Sequence, residues 1–232
     1  MDFDRQFWTT FFQGRASFRA HVKVLILVLM AFVGLFVAAG MVYSIPFTLT
    51  GVCISNLGNP LPSHNPKGWW LFTIAMIGVA PFLMAHARYM YRAFLPTWPI
   101  YSRLLYISLV LGSLGMPLVG IINETTWPPH IAVSLIAFGG LGLPAFFSFP
   151  LLVRKVIHRE PWPNKVALIG LYMIMGGIMV WIGILMSANH FQPPFANQNL
   201  SEWLGFTVIL FWLIGTFLMT STDGNSNTPE KR

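Results

Sequence analysis

Charge is missing from the middle of this chain, and that absence constrains its fold more than any motif. Between Val24 and Thr220 lie six apolar stretches of about 18 to 24 residues, none with Asp, Glu, Lys or Arg near its centre. A helix rises about 1.5 Å per residue, so each stretch can cross ~30 Å of hydrocarbon. The expected fold is an all-α integral membrane protein, a six-transmembrane-helix bundle. Composition agrees: 55% of residues are hydrophobic and 9% charged, against about 25% charged in a soluble domain.

The spans read as Val22–Ser44, Trp69–Tyr89, Arg103–Ile122, Ile131–Val153, Val166–Ala188 and Trp203–Met219, separated by loops rich in Pro and Gly. Residues 1–21 read as a cytoplasmic interfacial segment, because Phe3, Phe7, Trp8, Phe11 and Phe12 alternate with Arg5, Arg15 and Arg19. Residues 22–220 form the six-helix transmembrane domain, and 221–232 a disordered cytoplasmic tail. The first apolar run has full span length and no cleavage pattern, so it is expected to remain in the mature protein. The longest loop, Ile45 to Gly68, carries Asn59-Pro60, Pro62-Ser63 and Asn65-Pro66 and is expected to lie, ordered, across one mouth of the bundle.

Basic residues orient the chain. Four lie in the N-terminal flank (Arg5, Arg15, Arg19, Lys23), three around the second loop (Arg88, Arg92, Arg103), four in the fourth (Arg154, Lys155, Arg159, Lys165) and two in the tail; the other side has only Lys67. The positive-inside rule then puts both termini in the cytoplasm. Arg88, Arg92, Arg103, Arg154 and Lys155 form an inner rim suited to anionic lipid rather than nucleic acid. Proton pumps, ion-coupled transporters and voltage sensors need ionisable groups at membrane depth, and none stands at mid-span. His86, close to Arg88, reads as an interfacial histidine. Small residues four apart, Gly34 with Ala38 and Ser108 with Gly112, mark faces for close helix approach, and Pro81, Pro117, Pro144 and Pro150 fall inside spans.

The remaining functional groups converge on the outer side. The first loop supplies Ser55, Asn56, Asn59, His64, Asn65 and Lys67, the third Asn123, Glu124 and His130, and the fifth Asn189, His190, Gln192 and Glu202. Ser55, Asn56, Glu124, His130, His190 and Glu202 are the candidate polar site. Two carboxylates with imidazoles could hold zinc or carry out general acid–base chemistry. Against that, polar residues belong at helix ends, no His-x-x-His or His-Glu-x-x-His spacing occurs, and the one cysteine, Cys53, excludes a disulfide or a cysteine zinc cluster. No metal and no cofactor is assigned.

Three motifs carry a resemblance. Ile54-Ser55-Asn56-Leu57-Gly58-Asn59-Pro60 is similar to the "ISDLG" segment of six-helix proteins related to the DRAM, Sfk and GPI-lipid-remodelling group, with an uncharacterised prokaryotic branch the nearest fit. Gly120-Ile121-Ile122-Asn123-Glu124, with Pro129-His130 and Phe138, resembles that family's "VG-x-FPE … H-x-x-A-x-x-F" pattern; Glu202-Trp203 opening the last helix is the third similarity. The motifs cover about 20 residues. Where the family has an acidic residue after Ser, this chain has Asn56, which removes a general base or ligand. The resemblance implies association with membrane lipids or membrane partners, not a reaction.

Three functions therefore compete. The first is a lipid-associated or regulatory protein holding a headgroup at its outer mouth. The second is an intramembrane lipid hydrolase or acyltransferase with Glu124 or Glu202 as base, His130 as proton carrier and Ser55 as nucleophile. The third is a structural subunit of a larger membrane complex, packed against other membrane-protein subunits.

Overall fold

A computed structural model describes residues 2–96, 98–126, 128–158, 169–170, 172–173, 175–176 and 198–220. The described elements are all helical. They are α1 (Asp2–Phe12), α2 (Phe18–Met41), α3 (Trp69–Phe94), α4 (Pro99–Ile121), α5 (Pro129–Ser134), α6 (Gly140–His158) and α7 (Gln198–Thr220), with one 3-10 turn at Ser55–Gly58. Four stretches, Phe18–Met41, Trp69–Phe94, Pro99–Ile121 and Pro129–Pro150, are long and apolar enough to cross a membrane. The fifth expected span lies outside the described residues except for a few of its positions. The sixth coincides with α7.

Helix ends differ from the sequence reading for local reasons. Helix α2 begins at Phe18, because Ser17 accepts the Ala20 amide and caps the first turn. Helix α4 begins at Pro99, whose missing N–H costs nothing at a first helical position. Helices α5 and α6 form one rod through a π-helical turn at Leu135–Gly139. That turn lies just before Gly140, whose carbonyl loses its usual i+4 donor because Pro144 lacks an N–H.

Helix α3 is the centre of the bundle, flanked by α2 and α4, and α6 packs on the far side of α4 and against α7. Buried Phe36, Phe72, Met76, Leu105, Leu109 and Trp212 make one continuous core. The α4–α6 contact is backbone on backbone: a Cβ on Gly140 would overlap the Gly112 amide, and one on Gly115 would lie 2.5 Å from the Ala137 nitrogen. Ser108 and Gly112 therefore serve the close approach expected of small residues at spacing four. Gly34, by contrast, has open space around it among the described residues.

The N-terminal segment is more firmly held than an interfacial helix need be. Phe11 is fully buried. Its ring and those of Trp8 and Phe12 pack on Phe82 of α3, and Arg88 Nη1 donates to the Phe12 carbonyl at 2.7 Å. The turn into α2 passes through Gly14 at φ +67°, with its α-carbon against the Tyr89 backbone. Only glycine combines that dihedral with that contact.

Candidate functional site

Two polar clusters occupy opposite ends of the bundle. At one end the 42–68 loop folds over the mouth between α2, α3, α4 and α7. Asn65, fully buried, is its central strut: Nδ2 donates to the Ala39 carbonyl at 3.1 Å and the Leu57 carbonyl at 2.9 Å. Ile54 and Leu57 sink into the core and hold the 3-10 turn, whose start is tied by Cys53 N to Asn56 Oδ1 at 3.2 Å. Ser55 is thereby presented to the mouth.

Glu124 arrives on the loop after α4. An Asx turn, with Asn123 Oδ1 accepting the Thr125 amide, shapes that loop. His130 clips it shut, its Nδ1 meeting the Ile122 carbonyl at 2.6 Å. Glu202 comes from the first turns of α7. That helix end is fastened to the loop by Trp203 Nε1 donating to the Val52 carbonyl at 2.8 Å and Asn199 Nδ2 to the Thr50 carbonyl at 3.0 Å.

The carboxylates meet at one hydroxyl. Ser55 Oγ is 3.3 Å from Glu124 Oε2 and 3.5 Å from Glu202 Oε2, and the Ser55 amide also faces Glu202 Oε2 at 3.5 Å. Glu124 Oε1 receives Asn56 Nδ2 at 2.8 Å and Asn59 Nδ2 at 2.5 Å. The described Lys and Arg side chains contribute no ion pair to either carboxylate; the basic group near Glu124 is His64, its Nε2 3.6 Å from Oε1. Beside this cluster Cys53 bonds Asn199 Oδ1. Burial, then the Glu202 and Glu124 carboxylates, pushes the Cys53 thiol up to about 12. Burial and then Glu124 push the Tyr43 phenol up to about 12 as well.

Of the residues expected to form a site, Ser55, Asn56, Glu124 and Glu202 converge, whereas His130 does not join them. It is buried behind the loop and acts on Glu124 through the backbone, while its Nε2 faces Ser134 Oγ at 3.4 Å. His190 lies outside the described residues. Asn56 explains itself: its amide donates to Glu124, which an acidic residue at that position could not do. His64 and Asn59 belong to the cluster although neither was among the candidate site residues; Asn59 stood in the Ile54–Pro60 motif, whereas only its place in the loop pointed to His64. Among the described residues no group of three or more His, Cys, Asp and Glu is gathered tightly enough to hold a metal ion.

At the other end the interfacial reading of His86 fails, because a helix with Arg88 two residues on can still turn His86 inward. His86 is 1% exposed; its Nδ1 lies 3.2 Å from His21 Nε2 and its Nε2 3.1 Å from Thr216 Oγ1. His21, also buried, is stacked between Phe11 and Tyr89, and its Nδ1 has no hydrogen-bond partner. The chain of rings joins α1, α2, α3 and α7. Around it Arg88, Arg92 and Arg103 are exposed, Arg88 being engaged with α1, and Arg154 and Lys155 fall in the last turns of α6.

No family model, curated protein or solved structure matches this chain. The site therefore has to be read from its own chemistry.

Proposed function

We propose that the chain is a six-helix membrane protein, with both termini in the cytoplasm, that holds a lipid headgroup bearing an ammonium group in the carboxylate mouth around Ser55. One observation carries the reading: Glu124 and Glu202 converge on a single hydroxyl with no Lys or Arg paired to either among the described residues. Carboxylates taken partly out of water call for a cationic partner. Phosphatidylethanolamine offers one at the depth where helix ends meet headgroups. The "ISDLG"-like segment supplies Ser55, Asn56 and, directly after its glycine, the Asn59-Pro60 step, so the resemblance to the lipid-remodelling group and the site chemistry point the same way. The Lys and Arg excess at the opposite end supports the orientation and would meet anionic lipid.

Hydrolysis is the weaker reading. Glu124 and Glu202 do stand 3.3 and 3.5 Å from the Ser55 hydroxyl, but the proton carrier that reading needs, His130, faces the Ile122 carbonyl and Ser134 instead.

The test is native mass spectrometry of the protein released gently from its own membrane and then exchanged against phosphatidylethanolamine or phosphatidylglycerol. The expected result is retained phosphatidylethanolamine that falls about tenfold in a Glu124→Gln, Glu202→Gln double variant, the loss expected of one charge-assisted contact, with phosphatidylglycerol unaffected. Equal retention by variant and wild type would overturn the assignment, and co-released protein chains in place of lipid would favour the subunit function.

A further inference from the structure

The stretch 42–66, which follows α2, carries no Asp, Glu, Lys or Arg. Roughly six charges would be expected of a water-facing stretch of that length. Its neighbours fix its level in the bundle. A Cβ added to Gly68, at the start of α3, would lie 2.5 Å from Val42 Cγ2, so the end of α2 and the start of α3 stand side by side. Trp69 and Trp70, both exposed, mark the membrane–water boundary there, as tryptophans at the ends of spans do.

From that level the chain folds back instead of climbing away. Phe47 returns to α2, where a Cβ on Gly40 would meet its ring at 3.5 Å, and it stands edge-on to Trp203 of α7 at 5.6 Å. Tyr43 lies on the same inner side, its ring centroid 6.4 Å from that of Phe47. The Thr48 carbonyl then accepts the Gly51 and Val52 amides at 3.1 and 3.0 Å and closes a turn. Asn199 and Trp203 hold the Thr50 and Val52 carbonyls against the first turns of α7. With Tyr43 and Phe47 turned inward, Ile45 and Leu49 face out, 55% and 50% exposed. They continue the exposed apolar stripe of α2, formed by Leu27, Met30, Val37 and Met41, which in a membrane-crossing helix meets lipid.

We propose that residues 45–51 are a hook seated in the bilayer leaflet on the mouth's side, with Ile45 and Leu49 among the acyl chains just below the headgroups. The irregular backbone sets the depth, because amides and carbonyls outside a helix need water and are not tolerated in the hydrocarbon core. The boundary region satisfies side chains and backbone together, as it does for other interfacial segments. The chain runs directly from this hook into Cys53 and Ser55, so the mouth lies beside lipid. The seating depends on the membrane-crossing helices and goes beyond the headgroup reading, which can fail without it.

The experiment places a nitroxide on the full chain in phospholipid nanodiscs, in a Cys53→Ser background, at Ile45→Cys, Leu49→Cys, Val37→Cys or Lys67→Cys. It compares collision with oxygen, which concentrates among acyl chains, with collision with a water-soluble nickel chelate. Labels at 45 and 49 should favour oxygen, as at 37 on α2, and the order should invert at 67. Nickel preference at 45 or 49 overturns the seating, and so does dipolar broadening there, which would mean a second copy covers the hook. A melting curve identifies any variant that fails to fold. Unmodified protein then decides, photolabelled by a phospholipid with a diazirine at the top of its acyl chain: adducts within 45–51 support the hook, and adducts confined to the helices overturn it.

Discussion

Cys53 is the only cysteine in the chain, and it touches the mouth, so its thiol reports on the site without any engineering. With the thiol pushed up to about 12 by burial and by the two carboxylates, the reactive thiolate is scarce at neutral pH. Maleimide labelling of the folded protein at about pH 7.5 should therefore be slow, at least tenfold below that of the denatured chain. Glu202→Gln, which removes the larger of the two carboxylate influences, should accelerate it; an unchanged rate would place Glu202 away from the thiol. Asn56 gives a second test at this scale. Changing it to Asp restores the acidic residue of the resembling family but replaces a donor with a third carboxylate beside Glu124. A loss of about 1 to 3 kcal/mol is expected, the cost of an unpaired, like-charged group at a half-buried position, seen as a lowered melting temperature that recovers at acid pH.

The elements were the most legible part of the chain. Apolar runs bounded by Pro and Gly gave the position of every described long helix, since a bilayer leaves a backbone few ways to satisfy its own polar groups. Their ends were less legible, because Ser17 and Pro99 act through caps and first-turn geometry that hydropathy does not register. The role of α1 was half visible: its aromatic residues marked an apolar face, but not that Phe11 stacks on His21 and closes the buried ring chain. Small residues at spacing four identified the α4–α6 seam through Ser108 and Gly112, though the same pattern at Gly34 has no neighbour among the described residues. At that seam Gly140→Leu should cost about 1 to 3 kcal/mol through overpacking and lower thermal stability in detergent, whereas Gly34→Leu should leave it nearly unchanged.

At the scale of the whole molecule the site is a meeting of distant segments, which explains why only part of it could be read in advance. Ser55, Glu124 and Glu202 were visible as polar residues at helix ends, yet nothing local distinguished His64, which reaches Glu124, from His130, which only braces its loop. Such choices are made by packing. Loosening one fastening should release the loop: Trp203→Phe keeps the ring but loses the bond to the Val52 carbonyl, and is expected to speed protease cleavage within 45–68 several-fold while cleavage near Arg15 stays unchanged. The same fastenings impose an order in time. The loop that shapes the mouth is synthesised before α7, and its ties to Asn199, Glu202 and Trp203 span 147 to 151 positions of chain. A nascent chain therefore carries an open mouth until α7 has been made, and α7 is the helix that closes it.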